Sequence, residues 1–167
     1  MLELKAPARR QPSMPLEALL DEINAFTKAK VEVVGPLRFS SRAEPARLKS
    51  AEAQKTYTIR FTVDGPEPLG EPHKALMLSL AGQTLDQRTP ARVEHRRADL
   101  VRQRKVFELT VRDMTAHEAE LTIRAESGTY IKELVHSDEG RTQPSVAGLL
   151  GRKCTVLWLD VEDIHAE

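Results

Sequence analysis

The sequence is poor in the residues that would announce several familiar chemistries. One cysteine, Cys154, among 167 residues excludes an intrachain disulfide and any site built from several thiolates. Aromatic residues make up only 4%, so a core has to rest on Leu, Val, Ile and Ala. Net charge is also missing: 25 basic residues balance 25 acidic ones, and only the distribution of charge can point to a partner. No apolar run approaches the roughly 20 residues of a membrane span, and the first residues lack the apolar core of a signal peptide. The expectation is a soluble, cytoplasmic protein with no membrane partner. Five histidines, His73, His95, His117, His136 and His165, are widely spaced and form no ligand pairs, so no metal site is expected. Gly148-Leu149-Leu150-Gly151 reads as a helix end with its C-cap rather than a phosphate cradle. Ser127, His136 and Asp138 could be drawn as a triad, but no nucleophile elbow supports one. No period recurs, which excludes a repeat protein.

Against these absences stands a clear hydrophobic pattern. Gln54 to Val63 alternates, with Tyr57, Ile59, Phe61 and Val63 on one face and Thr56, Thr58, Arg60 and Thr62 on the other. Leu100 to Asp113 and His117 to Glu126 form an expected antiparallel hairpin, with Val106, Glu108, Thr110 and Arg112 opposing Phe107, Leu109 and Val111. Leu85 to Gln87 is a brief strand, and Val156 to Ile164 supplies a last one. Further strands are expected at Leu2 to Lys5 and, interrupted by Gly35-Pro36, across Val31 to Phe39. Helices are expected from a Ser13 cap through Leu16, Leu19, Leu20, Ile23 and Phe26, burying one stripe. Shorter ones are expected from Pro45 to Ala53 and from Lys74 to Leu80. Strands and short helices mix without βαβ alternation. That predicts an α+β protein, a largely antiparallel sheet flanked by short helices, with residues 1–167 in one domain.

Two stretches could carry chemistry. Arg88 to Lys105 holds seven Arg and Lys residues against Glu94 and Asp99, a surplus of five, with His95 among them. Most charge runs are solvated faces, but this one is dominated by Arg, whose planar fork binds phosphate oxygens in pairs, and nucleic-acid contact is the better reading. The second stretch, Arg124 to Ser145, passes from strand through Ser127-Gly128-Thr129 into a short helix bearing Tyr130, Lys132 and His136. Gly128 frees the backbone there, and Ser127 or Thr129 can cap the new helix. A turn over Asp138 to Thr142 follows, and Pro144 restarts helix. On spacing alone this is an ordinary strand–turn–helix junction, and Tyr57, on its strand, is an ordinary core residue.

The residues themselves say more. G-T-Y-I-K-E-L at Gly128 to Leu134 resembles the third motif of pseudouridine synthases. The longer run through H-S-D-E-G-R-T-Q-P-S resembles the archaeal and eukaryotic-type tRNA pseudouridine synthases that act on the TΨC loop, with Ser137 where that family usually has Gly. L-D-Q-R-T-P-A-R-V-E-H-R-R resembles the same family's "thumb" loop, here about residues 88–105, and Lys55-Thr56-Tyr57 resembles its K-x-Y motif. The resemblance covers nearly the whole chain but only the C-terminal portion of the family's catalytic domain. It implies that Tyr57 stacks on a flipped uridine, that Tyr130 bounds the uridine pocket, and that Lys132 pairs with the catalytic carboxylate. It further implies that Arg92, His95, Arg96 and Arg97 grip tRNA phosphates. No metal or organic cofactor belongs to this chemistry.

The family's nucleophilic Asp lies in a segment like R-E-D-x-D-V-R-x-L-G-x-G-R-P-F, ahead of the strand matching Leu2 to Lys5, and no such segment is present in this sequence. Asp21, Asp64, Asp86, Asp99 and Asp138 stand in other contexts, and none is assigned the nucleophile. The abrupt start of a strand after Met1 suggests a chain cut at its front. The expectation is therefore an isomerase fragment, an incomplete pseudouridine synthase fold inactive alone. An N-terminal fragment is the candidate source of the Asp. The alternative is a tRNA-binding protein or partner subunit lacking its own nucleophile.

Overall fold

The computed structural model describes residues 14–41, 43–44, 46–47 and 53–165. The strand expected at Leu2 to Lys5, the Ser13 cap and most of the Pro45 to Ala53 helix lie outside them. The chain divides into two compact units, residues 1–51 and 52–167.

In the first unit, helix α1 (Leu16–Phe26) forms where the apolar spacing predicts it, entered through Pro15. Its stripe is not buried: no α1 residue is fully enclosed, and Phe26 is 88% exposed. The strand expected across Val31 to Phe39 is absent. Asn24 accounts for part of this, because its side-chain amide takes both backbone groups of Val33, accepting from the N–H at 2.8 Å and donating to the C=O at 3.1 Å. A backbone satisfied by a side chain has no ladder to join.

The second unit carries the sheet. Strands β1 (Gln54–Val63), β2 (Thr84–Arg88), β3 (Val101–Met114), β4 (Glu118–Ala125), β5 (Thr142–Gln143) and β6 (Cys154–His165) stand in the order β5-β2-β3-β4-β1-β6, every pairing antiparallel. The α+β expectation holds. Tyr57, Ile59, Phe61 and Val63 of β1 meet Ala119, Leu121, Ile123 and Ala125 of β4 on the buried face. On the opposite face Arg60 gathers Glu118 at 3.0 Å and Glu120 and Asp113 at 3.3 Å, so that side of the sheet is an ionic surface.

Strand β3 departs from strict alternation. A register shift between Val106 and Glu108 opposes two residues to one and turns Val106 inward, so that Val106 and Leu109 are both buried. Phe107 instead takes the cations of Arg124 and Lys105 against its ring, at 5.5 and 5.8 Å.

Short helices cover the apolar face: α2 (Glu71–Leu78), α3 (Ile131–His136) and α4 (Val146–Leu150). Helix α2 packs on α4 and β3, and α3 packs on α4 and β6. Pro144 does not itself restart helix. Ser145 is the N-cap of α4, its Oγ accepting from Gly148 N at 3.1 Å, and Gly151 closes the helix in the left-handed region. Ser137 ends α3 at φ 72° and opens a run of four left-handed residues through Gly140, a conformation that suits glycine better than serine.

Candidate functional site

The site grows from the strand–turn–helix junction at the end of β4. Gly128 takes φ +79°, letting the chain turn. The cap differs from expectation: Tyr130 occupies the N-cap position of α3 without a side-chain cap bond, while Thr129 Oγ1 donates back to Glu126 O at 2.7 Å. What holds the junction is Gln87 of β2, 99% enclosed, whose amide accepts from Tyr130 N at 2.9 Å and donates to Tyr130 O at 3.0 Å.

Tyr130 is fixed at two further points by the arginine-rich arm. The arm leaves β2 through Thr89-Pro90 into a 3-10 helix, Ala91–Arg96, pinned by the buried Val93. From it the Arg92 guanidinium lies 5.9 Å from the Tyr130 ring centroid, and just beyond it Arg97 Nη1 donates to the Tyr130 hydroxyl at 3.1 Å. Arg92 Nε also donates to Glu133 Oε1 at 2.7 Å, and this hydrogen bond raises the Arg92 pKa above its ordinary value. Three more bonds dock the arm's base: Ala91 N to Asp138 Oδ2 at 2.9 Å, Arg141 to Glu94 at 2.7 Å, and Arg141 Nη1 to Thr89 O at 3.0 Å.

Tyr57 stands across from Tyr130, on β1 between Ile123 of β4 and Val161 of β6. It is 9% exposed, and burial pushes its phenol pKa up. Tyr57, Tyr130, Lys132 and Arg92 all line one hollow of about 280 Å³, completed by Thr129, Ile131, Glu133 and Leu159. The three residues expected to converge do so. Sequence reasoning missed Ile131, Glu133 and Leu159. The available signal was an acidic residue, Glu133, inside the apolar helix I-K-E-L-V.

Lys132 is exposed at the hollow and makes no ion pair among the described residues. Two cations, Arg92 and Lys132, face one carboxylate, Glu133, so the lining favours a further anionic group. His95 and Arg96 are exposed and have no carboxylate partner among the described residues. The arm's remaining charge is partly neutralised within the fold, Arg88 by Asp99 and Arg104 by Glu126. Among the described residues no group of His, Cys, Asp and Glu could hold a metal ion, and no helix is long and apolar enough to cross a membrane.

The fold is shared with a chain of the crystal structure of a Cbf5-Nop10-Gar1 complex, with a TM-score of 0.59 at 21% identity over 94% of this chain and 48% of that one. A chain of the archaeal box H/ACA sRNP Nop10-Cbf5 complex gives a TM-score of 0.52 at 18% identity, over 95% of this chain and 47% of the other. The sequence is narrower in its affinities. Residues 1–165 match the family model "Pus10, C-terminal", and the chain belongs to that family. Curated relatives named tRNA pseudouridine synthase Pus10 include one from Halorubrum lacusprofundi, 40% identical over all of this chain and 38% of its own length. Another, from Methanothermobacter marburgensis, is 42% identical over 98% of this chain and 39% of its own. A third, from Methanocaldococcus jannaschii, is 38% identical over 99% of this chain and 35% of its own. The chain thus spans well under half the length of these relatives.

Proposed function

We propose that the chain is the C-terminal portion of a tRNA pseudouridine synthase catalytic domain, converting uridine to pseudouridine in the TΨC loop. The observation that carries this reading is the single hollow shared by Tyr57, Tyr130 and Lys132 beside the arginine arm. Tyr57 stacks on the everted base, Tyr130 bounds the pocket, and Lys132 holds a nucleophilic Asp ionised and oriented, since an opposite charge at close range favours the charged carboxylate. Within the arm, the exposed His95 and Arg96 meet the tRNA backbone. Arg92 and Arg97 meet the nucleotide at the mouth of the hollow.

The nucleophile comes from a separate N-terminal fragment or from a preceding segment. Support lies in the cationic surplus of the hollow and in β6, among the described residues a sheet edge paired only with β1 and bearing Leu157, Val161 and Ile164 each more than half exposed. Such an edge is a template for another strand. No cofactor is required, and the cytoplasm is the compartment consistent with a tRNA substrate. The test is reconstitution: this chain, a fragment carrying the R-E-D-x-D segment, and their mixture are incubated with T-loop RNA. Pseudouridine formed only in the mixture is expected. A mixture as inactive as its parts, despite measured association of the fragments, would overturn the reading.

A further inference from the structure

Glu133 is the most enclosed charged group of the site, 2% exposed on a helix whose other inward residues, Ile131, Leu134 and Val135, are apolar. A carboxylate taken out of water needs a counter-charge. Its one ion-pair partner among the described residues is Arg92, reaching from the arm 41 positions earlier, and its second oxygen, Oε2, is buried without a hydrogen bond. The two partners are unequally placed. Arg92 is 57% exposed and, released, would be one more hydrated cation beside His95 and Arg96, whereas Glu133 alone would be a buried, uncompensated anion. The pairing therefore holds Arg92 in a position that a free arginine on a basic arm would have little reason to prefer, across the face of Tyr130.

We infer that Glu133 is a positioning residue: its carboxylate latches the base of the arginine arm to the hollow and reserves Arg92 for Tyr130 and the nucleotide, withholding it from tRNA phosphates. The phosphate half of this inference rests on the proposed function; the latch itself rests only on the contacts above.

Two measurements on the 167-residue chain test it, with the variants E133Q, R92Q and R92Q/E133Q. In urea unfolding, the double variant is expected to lose clearly less stability than the two single losses summed, because both singles break one contact. In tRNA binding across salt, E133Q frees a cation for phosphate. The salt slope should steepen by about 0.7–0.9, or roughly threefold more affinity lost over a fourfold rise in salt. R92Q should leave the wild-type slope unchanged, and the double variant should match R92Q. A merely structural Glu133 would not move the slope. Additive unfolding losses, an unaltered slope in E133Q, or a slope lowered by R92Q would each overturn the inference. Should E133Q fail to fold, R92Q, which alters a mostly exposed side chain, decides by its slope alone. If the wild-type chain shows no salt-dependent tRNA affinity, the proposed function fails together with the phosphate half, and the unfolding cycle alone decides on the latch.

Discussion

Gln87 and Tyr130 are joined through both ends of one amide, Oε1 taking the Tyr130 N–H at 2.9 Å and Nε2 reaching its carbonyl at 3.0 Å. Strand β2 thereby sets the start of helix α3. Replacing Gln87 with Leu keeps the volume but leaves the Tyr130 N–H without its partner. The loss should be about 1–3 kcal/mol. The check is a lower urea midpoint with an unchanged denaturant slope, since the surface exposed on unfolding stays the same.

Alkaline pH should weaken the fold. Burial raises the Cys154 pKa from 9.0 to about 12 and raises that of Tyr57 as well. A group whose folded pKa lies above its unfolded value contributes stability that is complete below the unfolded pKa and disappears as pH rises through the folded one. Stability should therefore decline from pH 9 towards 12, and Cys154→Ala should flatten the decline. At neutral pH the same thiol should resist alkylation until the protein is unfolded, which mass spectrometry of iodoacetamide-treated samples would show.

In the reconstituted enzyme, Tyr57→Ala removes the proposed stacking surface. Base–aromatic stacking is worth about 1–3 kcal/mol, which corresponds to a fall of roughly 5- to 150-fold in the single-turnover rate if stacking acts on the transition state. An unchanged rate would contradict the role given to Tyr57. Lys132→Met should lower the rate too, and Lys132→Arg should recover part of it, since a cation would again face the carboxylate.

Arg96 is exposed and lacks a carboxylate partner among the described residues. Arg96→Gln should weaken tRNA binding uniformly across sequences and reduce the salt slope by about 0.7–0.9, as expected for one lost phosphate contact. A titration at several salt concentrations measures this directly.

How far the sequence can be read differs sharply between elements. Strand β1 is legible because its alternation and its burial agree from Ile59 to Val63, although Thr58, on the other face, is buried as well. The convergence of Tyr57, Tyr130 and Lys132 is legible through motif resemblance rather than through spacing. The contacts that hold the site together are not legible in the sequence, because they are formed by side chains far apart in it. Gln87 is 43 positions from Tyr130, and Arg92 is 41 from Glu133. Each left only a faint trace, a polar residue on an inward face of β2 or α3. Strict alternation puts Phe107 in the wrong company, because a bulge has no hydrophobic period of its own. The apolar residues between Val31 and Phe39 suggested a strand, yet the Val33 backbone is claimed by Asn24.

The pairing of β1 with β6 joins Gln54 to His165 and Tyr57 to Val161, and Leu159 of β6 closes one wall of the hollow. The pocket thus cannot exist in a growing polypeptide until its last strand has been synthesised and has found a neighbour made about a hundred residues before. During that interval Tyr57 has no lateral shelter on that flank, and the nascent chain should look to quality control like an unfinished protein.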